Sequence, residues 1–316
     1  MKTAVNLKPK KSVWQKLKAS WMLHKWLYIM SIPFIAYFII FKYIPMYGAQ
    51  IAFKDYDVFD GIVGSPWVGL KHFKEFLSDY YFARLVKNTL AISLLSVVWS
   101  FPAPILFALL MNELRQERFK KVVQTITYLP HFISVIVICG MLVEFLAKDG
   151  LITTLLHTLF GMEPTYYLSY PQYFRTIYIA SDVWAGFGWG SIVYLAALTN
   201  IDQELYEAAT IDGAGKFKQV LHVTIPGILP MVMTMLIMRI GHVMGVGYEK
   251  IILLYNGNTY ETADVLSTYT YRMGIAGADM RYDYTTAIGL FTNMINLILI
   301  ITANKVSKKL TETSLW

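Results

Sequence analysis

The feature that most constrains this chain is the recurrence of long stretches without a charged side chain. Residues 88–112, 122–143, 219–238 and 284–304 contain no Asp, Glu, Lys or Arg. A helix crosses the hydrocarbon core of a bilayer with about 20 apolar residues, and each stretch is long enough. Of the 316 residues only 16% are charged, against roughly 25% in ordinary soluble domains. The sequence therefore predicts an all-α membrane protein. Six segments qualify as spans: 26–45, 88–112, 122–146, 173–199, 222–247 and 283–304. Lys42 interrupts the first, where a lysine near a helix end can snorkel to the headgroups. The fourth carries Asp182 and the fifth Arg239. The uncharged stretch 150–162 is too short to span and reads as a helix at the outer surface.

Sixteen Lys and Arg fall on the first 25 residues, the links 113–121 and 200–221, and the tail, while the opposite, longer links carry nine. Basic residues gather on the cytoplasmic side, so both termini are expected there. The chain then divides into a basic lead (1–25), a six-helix transmembrane domain (26–304) with a loop at 200–226, and a cytoplasmic tail (305–316). Trp14, Leu17 and Trp21, at helical spacing among lysines, predict a helix lying on the inner leaflet. A cleavable signal is not expected, because 25 residues precede the apolar run, which ends in IPMYG.

Several function classes are disfavoured at once. Cys139 is the only cysteine and lies in an apolar run, so there is no disulfide framework. The net charge of +7 is spread around the spans rather than on one face, against nucleic-acid binding. The string GAGKFK at 213–218 lacks the spacing of a phosphate-binding loop, having Thr210 and Phe217 where Gly and Ser or Thr are required. The six His are scattered without metal-ligand spacing. No acid, base or nucleophile cluster is visible, so an enzyme is not expected. No internal repeat of transporter size is apparent, which disfavours a carrier complete in one chain.

The link NIDQELYEAATIDGAGKFKQVLHVTIPGILP is built rather than structureless. Asp202 can cap a helix start. Leu205, Ala208 and Ala209 then share a face, and Asp212-Gly213 supplies a turn. A second short helix is expected from Ala214 into span five, where Pro226 sits near the start and disrupts little. A helix–turn–helix with a low Ala surface suits docking into a groove of another protein.

This loop resembles the EAA motif of binding-protein-dependent ABC importers, with Glu207, Ala208, Ala209, Asp212, Gly213, Ala214, Ile225 and Pro226 in the motif positions. Val220 stands where the sugar branch often has Phe, and Ile225 where Leu is usual. The segments FKYIPMYGAQIAFKDYD (41–57), SPWVGLKHFKEF (65–76), GYEKIILLYNGNTYETADVLSTYTYR (247–272) and the SLW ending are similar to the LplB-like branch, which imports oligosaccharides and polysaccharide fragments. Asn256-Gly257-Asn258 stands where simpler sugar permeases have a Gly-Gly-Pro turn. The resemblance implies a permease subunit with the type I ABC importer fold, in a bacterial plasma membrane. It implies a second, homologous but different permease, two ATPase subunits that bind ATP and Mg, an extracellular binding protein and an oligosaccharide cargo. In that family the loop is a coupling helix seated on the ATPase. By position, Glu207 and Gly213 would set its geometry, and Ala208 and Ala209 its contact. The outer loop 47–87 is a plausible contact for the binding protein. A permease of this fold for another solute, and a transport-inactive scaffold or sensor, are the alternatives.

A charge at mid-bilayer costs roughly 2.5–3.5 kcal/mol on insertion scales. Asp182 and Arg239, at similar depth, are therefore expected either to pair or to face the translocation path. Sugars bind on aromatic faces rimmed by hydrogen-bonding groups. That adds Tyr128, His131, Trp184, Trp189, His242, Asn293 and Asn296 as path candidates, although interfacial belts and interhelical bonds use the same residue types.

Overall fold

The computed structural model describes residues 13–277 and 280–316, and among these no β-strand forms beyond an isolated bridge between Lys54 and Trp67. The lysines of residues 2–11 lie outside the described residues. Helix α1 (Val13–Phe38) runs on through π and 3₁₀ turns as one helical stretch, Ser20–Phe53. Its backbone leaves helical geometry at His24 (φ −122°, ψ 23°), between the basic lead and the apolar run. A short helix, α2 (Lys71–Leu77), precedes α3 (Phe82–Trp99) and α4 (Pro102–Glu113), which together form the apolar stretch Phe82–Glu113, long enough to cross. Pro102 opens α4 at a position where a missing N–H costs no intrahelical bond.

The third span departs from expectation. In place of one helix over 122–146, α5 (Glu117–Tyr128) and a 3₁₀ turn at Leu129–Phe132 lead to α6 (Val135–Phe145), with a bend of 98°. The cause is local. Pro130 cannot donate to the preceding turn, Ile133 and Ser134 take extended ψ values of 132° and 149°, and the Ser134 hydroxyl accepts from the Val137 N–H (3.3 Å) to start a new helix. Helix α7 (Leu151–Phe160) follows as a short apolar element, ended by Gly161 in the left-handed region.

Helix α8 (Pro171–Leu198) has 28 residues, about 42 Å at 1.5 Å per residue, and carries Arg175 and Asp182 along its length. Among the described residues, four helical stretches are long and apolar enough to cross a membrane, five with the bent pair; counting six requires α8. It packs tightly on its neighbours: a Cβ at Gly188 would lie 2.1 Å from the Thr127 carbonyl oxygen on α5. Small residues at such crossings let membrane helices associate by close contact where no water is expelled.

The loop helix α9 (Gln203–Ile211) leads through Lys216–Gln219 into α10 (Ile225–Ile240). The fifth span thus ends at Ile240, seven residues before the expected 247, as Gly241, Gly245 and Gly247 loosen the chain. Short helices α11 (Tyr248–Leu254) and α12 (Leu266–Tyr271) follow before α13 (Tyr282–Thr311). One buried cluster joins Phe76, Leu85, Met244, Tyr269 and Ile288; another joins Ala108, Tyr194, Leu198 and Ile228 near the loop. In the apolar window of Ser20–Phe53 no residue is buried.

Candidate functional site

Two places gather the candidate residues: the loop between α8 and α10, and a polar cavity among α3, α8, α10 and α11. In the loop, the Asp202 carboxylate accepts from the Glu204 N–H (3.0 Å) and caps α9. The helix stops where Gly213 takes φ +75°, a conformation costly to any residue with a Cβ. There the Asp212 and Ala214 N–H groups bond back to the Ala208 and Ala209 carbonyls (3.0 and 2.9 Å). Glu207 and Ala208 are exposed, while Ala209 and Ala214 are half-buried and turn toward the chain's own packing. Pro226 occupies the first turn of α10.

The loop is tied at its base. The Tyr206 and Thr224 hydroxyls lie 3.0 Å apart, and buried Gln219 donates to Thr210 Oγ1 (2.9 Å) and the Ala214 carbonyl (3.2 Å). Sequence reasoning missed the largest bare apolar groups on this surface, Ile211 and Phe217, which are 86% and 80% exposed. Their signal was apolar residues beside charged ones in a polar loop. A rigid helix and turn with uncovered apolar tips can transmit force to the spans it joins.

The cavity, about 340 Å³, is lined by Ser93 and Ser96 of α3, Tyr178 and Asp182 of α8, Arg239 at the end of α10, His242, and Glu249 and Lys250 of α11. No ion pair joins Asp182 to Arg239 among the described residues. Lys250 Nζ lies 3.8 Å from Asp182 Oδ1 instead and donates to the Tyr178 carbonyl (3.1 Å), while Ser100 donates to Asp182 Oδ2 (3.3 Å). Arg239 donates to the Ser96 hydroxyl. The early end of α10 explains the difference. Arg239 sits in the last turn rather than eight residues inside, where the helix dipole favours a cation. Lys250, on a segment assigned to an outer link, enters the cavity and takes the carboxylate.

The remaining candidates are dispersed. His131 and Trp189 stack in parallel, centroids 4.8 Å apart, with Phe132 edge-on to Trp189, beside the break in the third span. Trp184 lines an apolar pocket with residues of α6 and α7. Asn293 lines a further pocket with Tyr248 and Tyr271. The Asn296 side chain accepts from the Met244 N–H (3.0 Å) and so anchors the chain just past α10. Tyr128 is half-buried at the end of α5.

Elsewhere, side chains of separate elements cross-link the loops around α2, α11 and α12. Buried Asn88 donates to the carbonyls of Glu261 and Asp264 (2.9 Å each) and accepts from Arg175 (2.7 Å). Asp264, fully buried, holds Arg272 through two bonds of 2.8 Å. Glu75 holds Arg281 through bonds of 2.6 and 2.8 Å, and the Arg281 guanidinium draws its carboxyl below the usual range. His72 lies within 4.8 Å of Asp55 and Asp283, a grouping that sequence spacing did not show. Its Nε2 faces the Lys54 carbonyl (2.9 Å) and Asp283 (3.3 Å), and Asp55 pairs with Lys71 (3.2 Å).

The family described as "Binding-protein-dependent transport system inner membrane component" matches residues 100–312, which include α9, the Gly213 turn and the cavity-lining parts of α8 and α10. The chain belongs to this family. It is 41% identical over 307 residues to the polygalacturonan/rhamnogalacturonan transport system permease protein YteP of Bacillus subtilis, covering 97% of this chain and 95% of that one. Protein LplB of the same organism is 43% identical over 303 residues, covering 94% of each. Among solved structures, a bacterial alginate ABC transporter in complex with an alginate pentasaccharide-bound periplasmic protein contains a chain that is 42% identical. It has a TM-score of 0.86 and covers 96% of this chain and 100% of its own. This is therefore a multi-pass membrane permease with the type I ABC importer fold, and ATP hydrolysis belongs to a separate subunit.

Proposed function

We propose that the chain is one half of the membrane pathway of an ATP-driven importer of oligosaccharides or polysaccharide fragments, in the plasma membrane of a bacterium with both termini in the cytoplasm. A second, homologous but different permease completes the pathway. Two ATPase subunits, which hold ATP and Mg, engage α9, and an extracellular binding protein delivers cargo to the outer loops. Closure of the ATPases pushes the loop and turns the pathway outward, and hydrolysis resets it inward. The observation that carries this function is an exposed, base-tied α9 and Gly213 turn. It occurs in a chain 41% identical to a permease named for polygalacturonan and rhamnogalacturonan transport. Asp182, Arg239 and His242 are the path residues best supported by position, since they share one cavity.

Co-purification from the native membrane should recover a second permease and an ATPase. Vesicles reconstituted with the complex and its binding protein should hydrolyse ATP faster with sugar and accumulate it. Glu207→Lys should abolish uptake and loosen the ATPase while insertion stays normal. Sugar uptake by the chain without an ATPase would overturn the proposal.

A further inference from the structure

The segment that follows the first helical stretch meets the start of α13 at one buried imidazole. His72 of α2 is 1% exposed, and its two ring nitrogens are unequally served. Nε2 faces the Lys54 carbonyl (2.9 Å) and Asp283 Oδ2 (3.3 Å). Both are acceptors, so a neutral ring carries its proton on Nε2. Nδ1 is then a buried acceptor without a hydrogen-bond partner. The carboxylate beside it, Glu75 Oε2 at 3.8 Å, has no proton to donate. Leaving a buried polar atom unbonded is costly and calls for an explanation.

The acids around the ring are placed for a cation. Asp283 Oδ1 accepts from the Tyr284 N–H (2.6 Å) while Oδ2 turns to His72. No Lys or Arg lies within ion-pair distance of Asp283 among the described residues. Asp55 brings a third ligand atom, since one atom from each of Asp55, His72 and Asp283 falls within 4.8 Å of the others. Asp55 and its partner Lys71 are both about half exposed, and such pairs hold a side chain weakly. The Lys54 ammonium points elsewhere, to the Ile62 carbonyl (2.5 Å) and over the Trp67 ring. The separations from Nε2, 2.9 and 3.3 Å, match the roughly 3.0–3.4 Å between neighbouring ligands of an ion about 2.1 Å from each.

We propose that His72 Nε2, one carboxylate oxygen each of Asp55 and Asp283, and the Lys54 carbonyl bind a divalent transition-metal ion, with Zn²⁺ the best fit. One imidazole among oxygens suits Zn²⁺ better than Ca²⁺ or Mg²⁺, which prefer oxygen shells, and affinity rises from Mn²⁺ to Zn²⁺. Metal on Nε2 moves the ring proton to Nδ1, facing Glu75, which Arg281 holds through two bonds. The orphaned nitrogen thereby gains an acceptor, in the carboxylate–histidine–metal arrangement that orients metal ligands. Lys54 and Asp55 directly follow the Tyr47–Phe53 turn that rests on α13, and Asp283 lies in the first turn of α13. The ion is thus a staple at the place where the first helical stretch is anchored.

The test uses the full chain in nanodiscs with the subunits that accompany it from its native membrane, purified through a histidine-free tag and stripped with EDTA. Equilibrium dialysis with Zn²⁺ and elemental analysis count the bound metal. The wild type should hold one more Zn²⁺ per chain than His72→Gln, with a Kd of about 1 μM or below. Asp55→Asn, at an exposed position, should weaken that site by at least about tenfold and serves if the glutamine variant does not assemble. Zn²⁺ should raise the unfolding midpoint of the wild type more than that of either variant. X-ray absorption at the zinc edge should show an imidazole nitrogen among oxygens. No tight Zn²⁺ in the wild type, equal uptake by wild type and Asp55→Asn, or displacement of Zn²⁺ by Ca²⁺ at equal concentration would overturn the proposal. None of these readouts depends on transport, so their outcome leaves the import function to its own test.

Discussion

The loops around α2, α11 and α12 and the loop that carries α9 are built on opposite plans. In the first, side chains bridge separate elements: Asn88 to the segment at Asp264, Asp264 to Arg272, Glu75 to Arg281. In the second, α9 is fastened near its base by Tyr206 and Gln219, while Ile211 and Phe217 stand clear. A surface cross-linked from within keeps its shape without a partner. One held at the base and bare at the tip offers apolar surface that another protein can cover. The difference separates a self-supporting surface from one open to a partner.

The strongest way to break this contrast is Asp264→Ala. Removing one member of a buried ion pair typically costs about 3–5 kcal/mol, and Asp264 is fully buried with Arg272 on both oxygens. The purified complex should unfold at clearly lower temperature, while Asp212→Ala in the exposed loop should barely shift the midpoint. Equal shifts would erase the distinction. Next comes Gly213→Val. At φ +75° a Cβ costs about 1–2 kcal/mol, enough to change uptake about tenfold if the turn sets the docked geometry, with membrane insertion unchanged. Transport at the wild-type rate would detach the turn from coupling.

Phe217→Ser and Ile211→Ser sharpen the comparison further. At such exposed positions stability should move by no more than about 0.5 kcal/mol. Retention of the ATPase subunits on an affinity column should nevertheless drop, by about tenfold for an anchoring residue. The smallest effect concerns pH. Because Glu75 is lowered from 4.5 by Arg281, its contribution is complete at neutral pH. It fades as the medium falls below 4.5 and is lost below the lowered folded value. For so exposed a pair it amounts to about 0.5 kcal/mol, so wild type and Glu75→Gln should differ slightly at neutral pH and converge in acid, read from unfolding midpoints.

The parts legible in the sequence follow from composition and short-range spacing. Uncharged stretches give α3–α4, α10 and α13, and the Asp202 and Gly213 signals give the loop its cap and turn. Two boundaries were missed although their signals are present. Ser134 directly before an apolar run is a helix-start pattern, but the hydropathy of its surroundings reads as unbroken. Gly241, Gly245 and Gly247 end α10 early, and that moved Arg239 from mid-helix to a helix end and removed its expected pairing with Asp182. The outer network was invisible for another reason. Asn88 and Asp264 meet only because α3 and the loop before α12 fold together, and no local spacing encodes that.

The first helical stretch, Ser20–Phe53, touches its own chain chiefly at its far end, where Tyr47–Phe53 rests on α13. Along the rest of its length the rod presents a bare apolar flank within this chain. Its seat is therefore set by the lipid solvent and by whatever lies beside it, and not by the buried clusters that hold the other helices together.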